Sequence, residues 1–169
     1  MADVLQRALQ TIDADSRFRT LRELRAELRS PDRDRRVTAL RRIRRQIETM
    51  GLRPSYFDLA RRHVDERDST CRWQATIVIG EFIETEPDKV WPIALKLAKS
   101  ANPDIRMAST RVLLEHLLEY HPTTMIPRFK AELATGSRRF KKAVAFCANF
   151  GDSRSRARIQ KVIDVAGAV

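Results

Sequence analysis

Cysteine, glycine and proline are all scarce in this chain of 169 residues, and each scarcity closes off a class of structure. The 2 cysteines, Cys71 and Cys147, sit among apolar neighbours, with no second cysteine and no clustered histidine near either. A disulfide framework and a thiolate metal site are therefore not expected, and two buried free thiols are. With only 5 Gly and 7 Pro, turn chemistry is too sparse for an all-β protein, whereas long elements with short links need little of it. No stretch approaches the roughly 20 apolar residues of a membrane span. The opening residues MADVLQRALQ carry acid and amide groups instead of a basic-then-apolar signal, so a cytoplasmic protein is expected. No Walker loop, GxSxG, HExxH or GxGxxG occurs. The 3 histidines, His63, His116 and His121, are scattered, and His116, on the apolar side of its helix with no nucleophile or paired carboxylate near it in sequence, reads as a core residue, so no catalytic residue, cofactor or metal ligand is assigned.

What the chain has in quantity is apolar side chains, 43%, and charge, 33%, a balance that supports a packed core and excludes a disordered polar chain. The charge is lopsided, with 33 Lys and Arg against 22 Asp and Glu, a net +11. Residues 1–66 hold 16 basic and 11 acidic groups, residues 67–135 hold 9 of each, and residues 136–169 hold 8 and 2. Both ends are basic around a balanced middle. Such an excess favours a polyanionic partner, nucleic acid or an acidic protein, while serving solubility in any case. A small-molecule ligand is not expected.

Apolar residues recur in steps of three and four. Between Pro103 and Tyr120 they fall at Ile105, Ala108, Val112, Leu113, Leu117 and Tyr120, one face of a helix. The same periodicity predicts helices over 3–13, 16–29, 31–50, 54–66, 69–85, 88–100, 123–135, 138–150 and 154–166. Asn102 before Pro103 and Ser30 before Pro31 read as helix caps followed by a proline at the first helical position. No segment alternates with period two.

An internal period runs through these helices. Arg36, Arg72 and Arg106 each precede a small residue by three (Ala39, Ala75, Ser109), at intervals of 36 and 34, and Phe140 with Ala143 reads as a fourth copy 34 further on. A second marker shares the period: Pro54, Pro87 and Pro122, spaced 33 and 35, each open the second helix of a pair. Small residues let helices approach closely, and proline ends one helix while starting another with a fixed backbone angle. Aligning Ser30-Pro31-Asp32 with Asn102-Pro103-Asp104 shifts the register by two against the arginines, so the first helices are expected to differ in where they start.

This pattern resembles HEAT repeats over about residues 30–166, with residues 1–29 as a divergent capping pair. The resemblance implies one all-α domain over 1–169, a right-handed α-solenoid of about five antiparallel helix pairs. The stretch from Arg72-Trp73-Gln74-Ala75 through Pro87-Asp88-Lys89-Val90-Trp91 to Asn102-Pro103-Asp104-Ile105-Arg106 is similar to the HEAT-like DNA alkylation-repair glycosylases. That family acts on an alkylated base with an aspartate and aromatic residues in its concave groove. Its tandem-tryptophan-and-aspartate segment has no counterpart here, because Trp73 and Trp91 stand alone, so its catalytic residues are not carried over.

Two sets of residues emerge as candidates. Arg36, Arg72 and Arg106 are expected to form an inter-repeat ion-pair ladder with Asp32, Asp68 and Asp104, since a guanidinium on the apolar side of a helix needs a partner. In HEAT-like arrays the second helices line the concave side. Here they carry Arg61 and Arg62, then Lys89, Lys96 and Lys99, then Arg128 and Lys130, then Arg154, Arg158 and Lys161. Spacings of three, four and seven set these in stripes, a basic groove for nucleic acid. The expected function is a non-catalytic polyanion-binding module. A protein-binding scaffold is the alternative, and a DNA-glycosylase relative stands behind both.

Overall fold

The computed structural model describes residues 18–147 together with Ala157, Gln160 and Asp164. Among these residues there are eight helices and no strand: α1 (Leu21–Leu28), α2 (Arg33–Met50), α3 (Pro54–Ala60), α4 (Ser69–Gly80), α5 (Pro87–Ala98), α6 (103–120), α7 (Pro122–Ala134) and α8 (Arg138–Cys147). The all-α class read from periodicity is the class observed. The helix expected at 3–13, and with it half of the capping pair, lies outside the described residues, and of the helix expected at 154–166 the described residues Ala157, Gln160 and Asp164 are helical.

Each first helix starts in the same way. Asp32, Asp68 and Asn102 are the caps of α2, α4 and α6, with backbone angles within a few degrees of one another. Ser137 accepts from the Phe140 amide at 3.4 Å and takes the same place before α8. A polar side chain at these positions satisfies amides that the helix itself leaves open. The cap of α2 is thus Asp32 and not Ser30. Ser30 Oγ accepts from the Asp32 amide at 3.1 Å, the role that Ser100 plays for Asn102 at 3.2 Å, which removes the two-residue slip inferred from the proline alignment. The caps also correct the fourth copy. The amides of Arg36, Arg72, Arg106 and Lys141 bond back to the carbonyls of Asp32, Asp68, Asn102 and Ser137, so Lys141, not Phe140, stands in the arginine's register.

The second helices open on proline as anticipated: Pro54, Pro87 and Pro122 occupy the first turns of α3, α5 and α7. Sequence reading overlooked a second proline five residues later in two of them, Pro92 and Pro127, each inside its helix. Two helices end earlier than periodicity predicts. α3 stops at Ala60, and the carbonyls of Glu66 and Arg67 are instead turned toward the Arg72 guanidinium. After Gly80 the amides of Phe82 and Ile83 bond three residues back, a tightening forced by Pro87 downstream.

Backbone contacts run chiefly through the first helices, with α2 against α4, α4 against α6, and α6 against α8, while α3 packs on α4, α5 on α6 and α7 on the end of α6. Close approach is made possible by small side chains: Ala39, Ala75, Ser109 and Ala143 are buried, and a Cβ added at Gly80 would lie 3.1 Å from Val112 Cγ1. Inside α6 the residues Ser109–Leu114 form a π-helical segment, where the Ser109 hydroxyl donates to the Ala94 carbonyl of α5 at 2.7 Å. One buried core, from Leu24 and Leu40 to Phe129 and Phe140, runs along the whole series. Among the described residues no helix is long and apolar enough to cross a membrane.

Candidate polyanion-binding surface

The three arginines of the repeat share one contact that their spacing did not reveal. Arg36 Nη1 donates to the carbonyls of Ser30 and Pro31, Arg72 Nη1 to those of Glu66 and Arg67, and Arg106 Nη1 to those of Ser100 and Ala101, at 2.6 to 2.9 Å throughout. In each case the acceptors are the residues six and five positions earlier. The guanidinium therefore fastens the loop that leads into its own helix, supplying donors to carbonyls that would otherwise lack partners.

One rung of the expected ladder is present and the others differ. Arg72 pairs through Nη2 with Asp104 of α6, and the Trp73 indole N–H donates to the same carboxylate at 3.1 Å. These two donors, the indole first, hold the Asp104 carboxyl below the usual carboxylate range. Arg36 pairs with Glu66 at 3.3 Å, while Asp68 accepts from Arg33 at 2.9 Å and from the Cys71 amide. Asp32 lies 3.9 Å from Arg35. For Arg106 no carboxylate stands within ion-pair distance among the described residues. Asp32 and Asp68 serve as helix caps and lie against Arg35 and Arg33, not against the ladder arginines.

The stripe expected on the second helices is a set of ion pairs. Arg61 binds Asp58 at 3.1 Å, Lys89 pairs with Glu86, Lys96 with Asp65, Lys99 with Glu132, and Arg128 with Asp88 at 2.6 Å. Three of these, Lys96–Asp65, Lys99–Glu132 and Arg128–Asp88, bridge one second helix region to the next. Arg62 and Lys130 are exposed with no such partner among the described residues, and Arg154, Arg158 and Lys161 lie outside them.

Cations without carboxylate partners among the described residues lie elsewhere. On α1 and its cap, Arg22, Arg25 and Arg29 are exposed at spacings of three and four, and Arg41 is exposed on α2. On α8, Arg138, Arg139, Lys141 and Lys142 are all exposed, and the helix contains no acidic residue. Among the described residues the unpaired charge is thus carried chiefly at the two ends of the series, on α1 and α8.

Little else could support chemistry. Among the described residues no group of three metal-binding side chains comes together. His63 pairs with Glu66, His116 lies 3.2 Å from the Val112 carbonyl, and His121 donates to the Ile83 carbonyl at 2.8 Å. Trp91 packs against Phe129 and Phe140, with ring centroids 5.1 and 6.3 Å apart, and so serves the core. Both cysteines are fully buried, and burial pushes the Cys71 thiol up to about 11 and that of Cys147 higher still. Neither should react with a thiol reagent in the native protein at pH 8, and both should react in denaturant. Rapid native labelling of either would contradict this packing.

Many long-range polar side-chain contacts link residues 30 to 40 positions apart, as in Arg33–Asp68, Arg36–Glu66, Arg72–Asp104 and Arg128–Asp88. Comparison with family models, with curated proteins and with solved structures returns no match to this chain.

Proposed function

We propose that the chain is a non-catalytic, HEAT-like right-handed α-solenoid that binds a polyanion, nucleic acid, through basic groups at the ends of its array. The solenoid reading is supported by caps recurring at Asp32, Asp68, Asn102 and Ser137, and by polar contacts that reach one repeat and no further. The observation that carries the binding reading is charge segregation. The cations Arg61, Lys89, Lys96, Lys99 and Arg128 are paired with neighbouring carboxylates, while among the described residues Arg22, Arg25 and Arg29 near α1 and Arg138, Arg139, Lys141 and Lys142 on α8 face solvent with no carboxylate within ion-pair distance. Phosphates held by such groups release counterions, which drives association. Surface ion pairs on the second helices would have to be exchanged for phosphate contacts at little gain.

Fluorescence anisotropy with a labelled, mixed-sequence single-stranded oligonucleotide tests this. With about four to six phosphates contacted, log affinity should fall with log salt at a slope of about −3 to −5. Replacing Arg25, Arg29, Lys141 and Lys142 together by Gln should weaken binding more than the charge-matched set Lys89, Lys96, Lys99 and Arg128. No binding at low salt would sink the nucleic-acid reading and favour a protein scaffold. A greater loss from the second set would return the surface to the second helices.

A further inference from the structure

The repeat register fixes what each first helix offers to the next. Four residues after the caps come Arg36, Arg72 and Arg106, which tie down the entry loops, and two residues after the following caps come Thr70, Asp104 and Arg139; Thr70 accepts from Arg33, and Asp104 reaches the preceding arginine. At the α4–α6 step these are Arg72 and Asp104, joined as an ion pair. At the α6–α8 step the same two positions hold Arg106 and Arg139, so a carboxylate has given way to a second guanidinium. The caps lose their charge as well, passing from Asp32 and Asp68 to Asn102 and Ser137.

Both guanidiniums are drawn to one short loop. Arg106 Nη1 donates to the carbonyls of Ser100 and Ala101 at 2.8 Å, and Arg139 Nη1 donates to that of Lys99 at 3.4 Å. Lys142, three residues on from Arg139, borders with Arg106 a groove of about 140 Å³ between α6 and α8. None of the three cations has a carboxylate within ion-pair distance among the described residues. Asp104, the nearest acid in sequence to Arg106, is engaged by Arg72 and Trp73. Each guanidinium uses one nitrogen on a carbonyl, which leaves further N–H groups for another acceptor. Like charges gathered in this way repel until an anion joins them.

We infer that the α6–α8 step is a phosphate seat, in which Arg106, Arg139 and Lys142 hold a backbone phosphate of a nucleic acid. A planar guanidinium matches the paired oxygens of a phosphate, and two guanidiniums with an ammonium outline a tripod for one group. The inference rests on the polyanion reading above and assigns its principal contact. It also explains why the carboxylate found at the preceding step is absent here.

Arg139→Asp puts a carboxylate in the register of Asp104, where it can pair with Arg106 as Asp104 pairs with Arg72. The variant should fold at least as well as the parent and lose the seat. With the labelled single-stranded oligonucleotide at about 50 mM salt, affinity should fall at least about tenfold, and the salt slope should shrink by about 2, the value for three lost contacts on a single strand. Arg67→Asp, which places the same charge change on an exposed site between α3 and α4, should change affinity less than about twofold. Binding by the parent with equal losses from Arg139→Asp and Arg67→Asp would overturn the seat while leaving nucleic-acid binding intact. Absence of binding by the parent would remove both. Should Arg139→Asp unfold, Lys142→Glu, on an exposed side chain, carries the same comparison.

Discussion

Arg72→Ala is expected to lower the unfolding free energy by about 2–4 kcal/mol, measured by urea denaturation at pH 7. Arg72 is only 4% exposed, and its guanidinium serves three acceptors at once: the carbonyls of Glu66 and Arg67 at 2.6 and 2.7 Å, and the Asp104 carboxylate. Alanine strands the two carbonyls and leaves Asp104 with the Trp73 indole alone. The figure stays below the upper range for a broken buried pair because Asp104 is partly exposed and water can reach it. Arg106→Ala should cost less, about 1–2 kcal/mol, because it loses carbonyl bonds but no carboxylate. That ordering is the discriminating result, and equal costs would mean that the Asp104 pair adds nothing. A pH dependence follows. The Asp104 carboxyl is held low by the Trp73 indole and by Arg72. Its stabilisation is therefore fully present above the unfolded value of about 3.9 and is lost as pH falls through the lower folded value. In Arg72→Ala the acid limb of the stability curve should flatten.

Phe129→Ala should cost about 3–5 kcal/mol. Phe129 has no exposed surface and lies 5.1 Å from Trp91 and 5.6 Å from Phe140, joining α5, α7 and α8 at one point. Removing it empties the junction on which α8 is seated, and the rings of Trp91 and Phe140 lose a shared neighbour. Phe129→Leu retains most of the volume and should cost about half as much. A loss near 1 kcal/mol for the alanine variant, read by thermal or urea unfolding, would mean that the cluster collapses to refill the space and does not anchor α8.

The fold class was legible because its signals are local. Apolar steps of three and four depend only on neighbours along the chain, and proline at Pro54, Pro87 and Pro122 restricts its own backbone wherever it stands. Arg36, Arg72 and Arg106 were visible as a repeat for the same reason, and so was the presence of excess positive charge at both ends. Boundaries were less legible. Nothing in the residues after Ala60 forbids helix, and the carbonyls of Glu66 and Arg67 that Arg72 engages belong to a contact that the local pattern does not display.

What the sequence could not assign was the partner of each charge. Lys96 and Asp65 are 31 positions apart and Arg128 and Asp88 are 40 apart, so their pairing exists only once successive helices are stacked. Spacing alone made Lys89, Lys96 and Lys99 a basic stripe, and the stacking converts it to a set of ion pairs. The register of the last repeat was hidden too, since Phe140 and Lys141 differ by one residue and only the backbone bond to Ser137 distinguishes them. Helix, cap and repeat follow from interactions within about four residues, which a sequence displays directly. Whether a cation is neutralised or left facing solvent depends on side chains a full repeat away, and only the packed array brings those together.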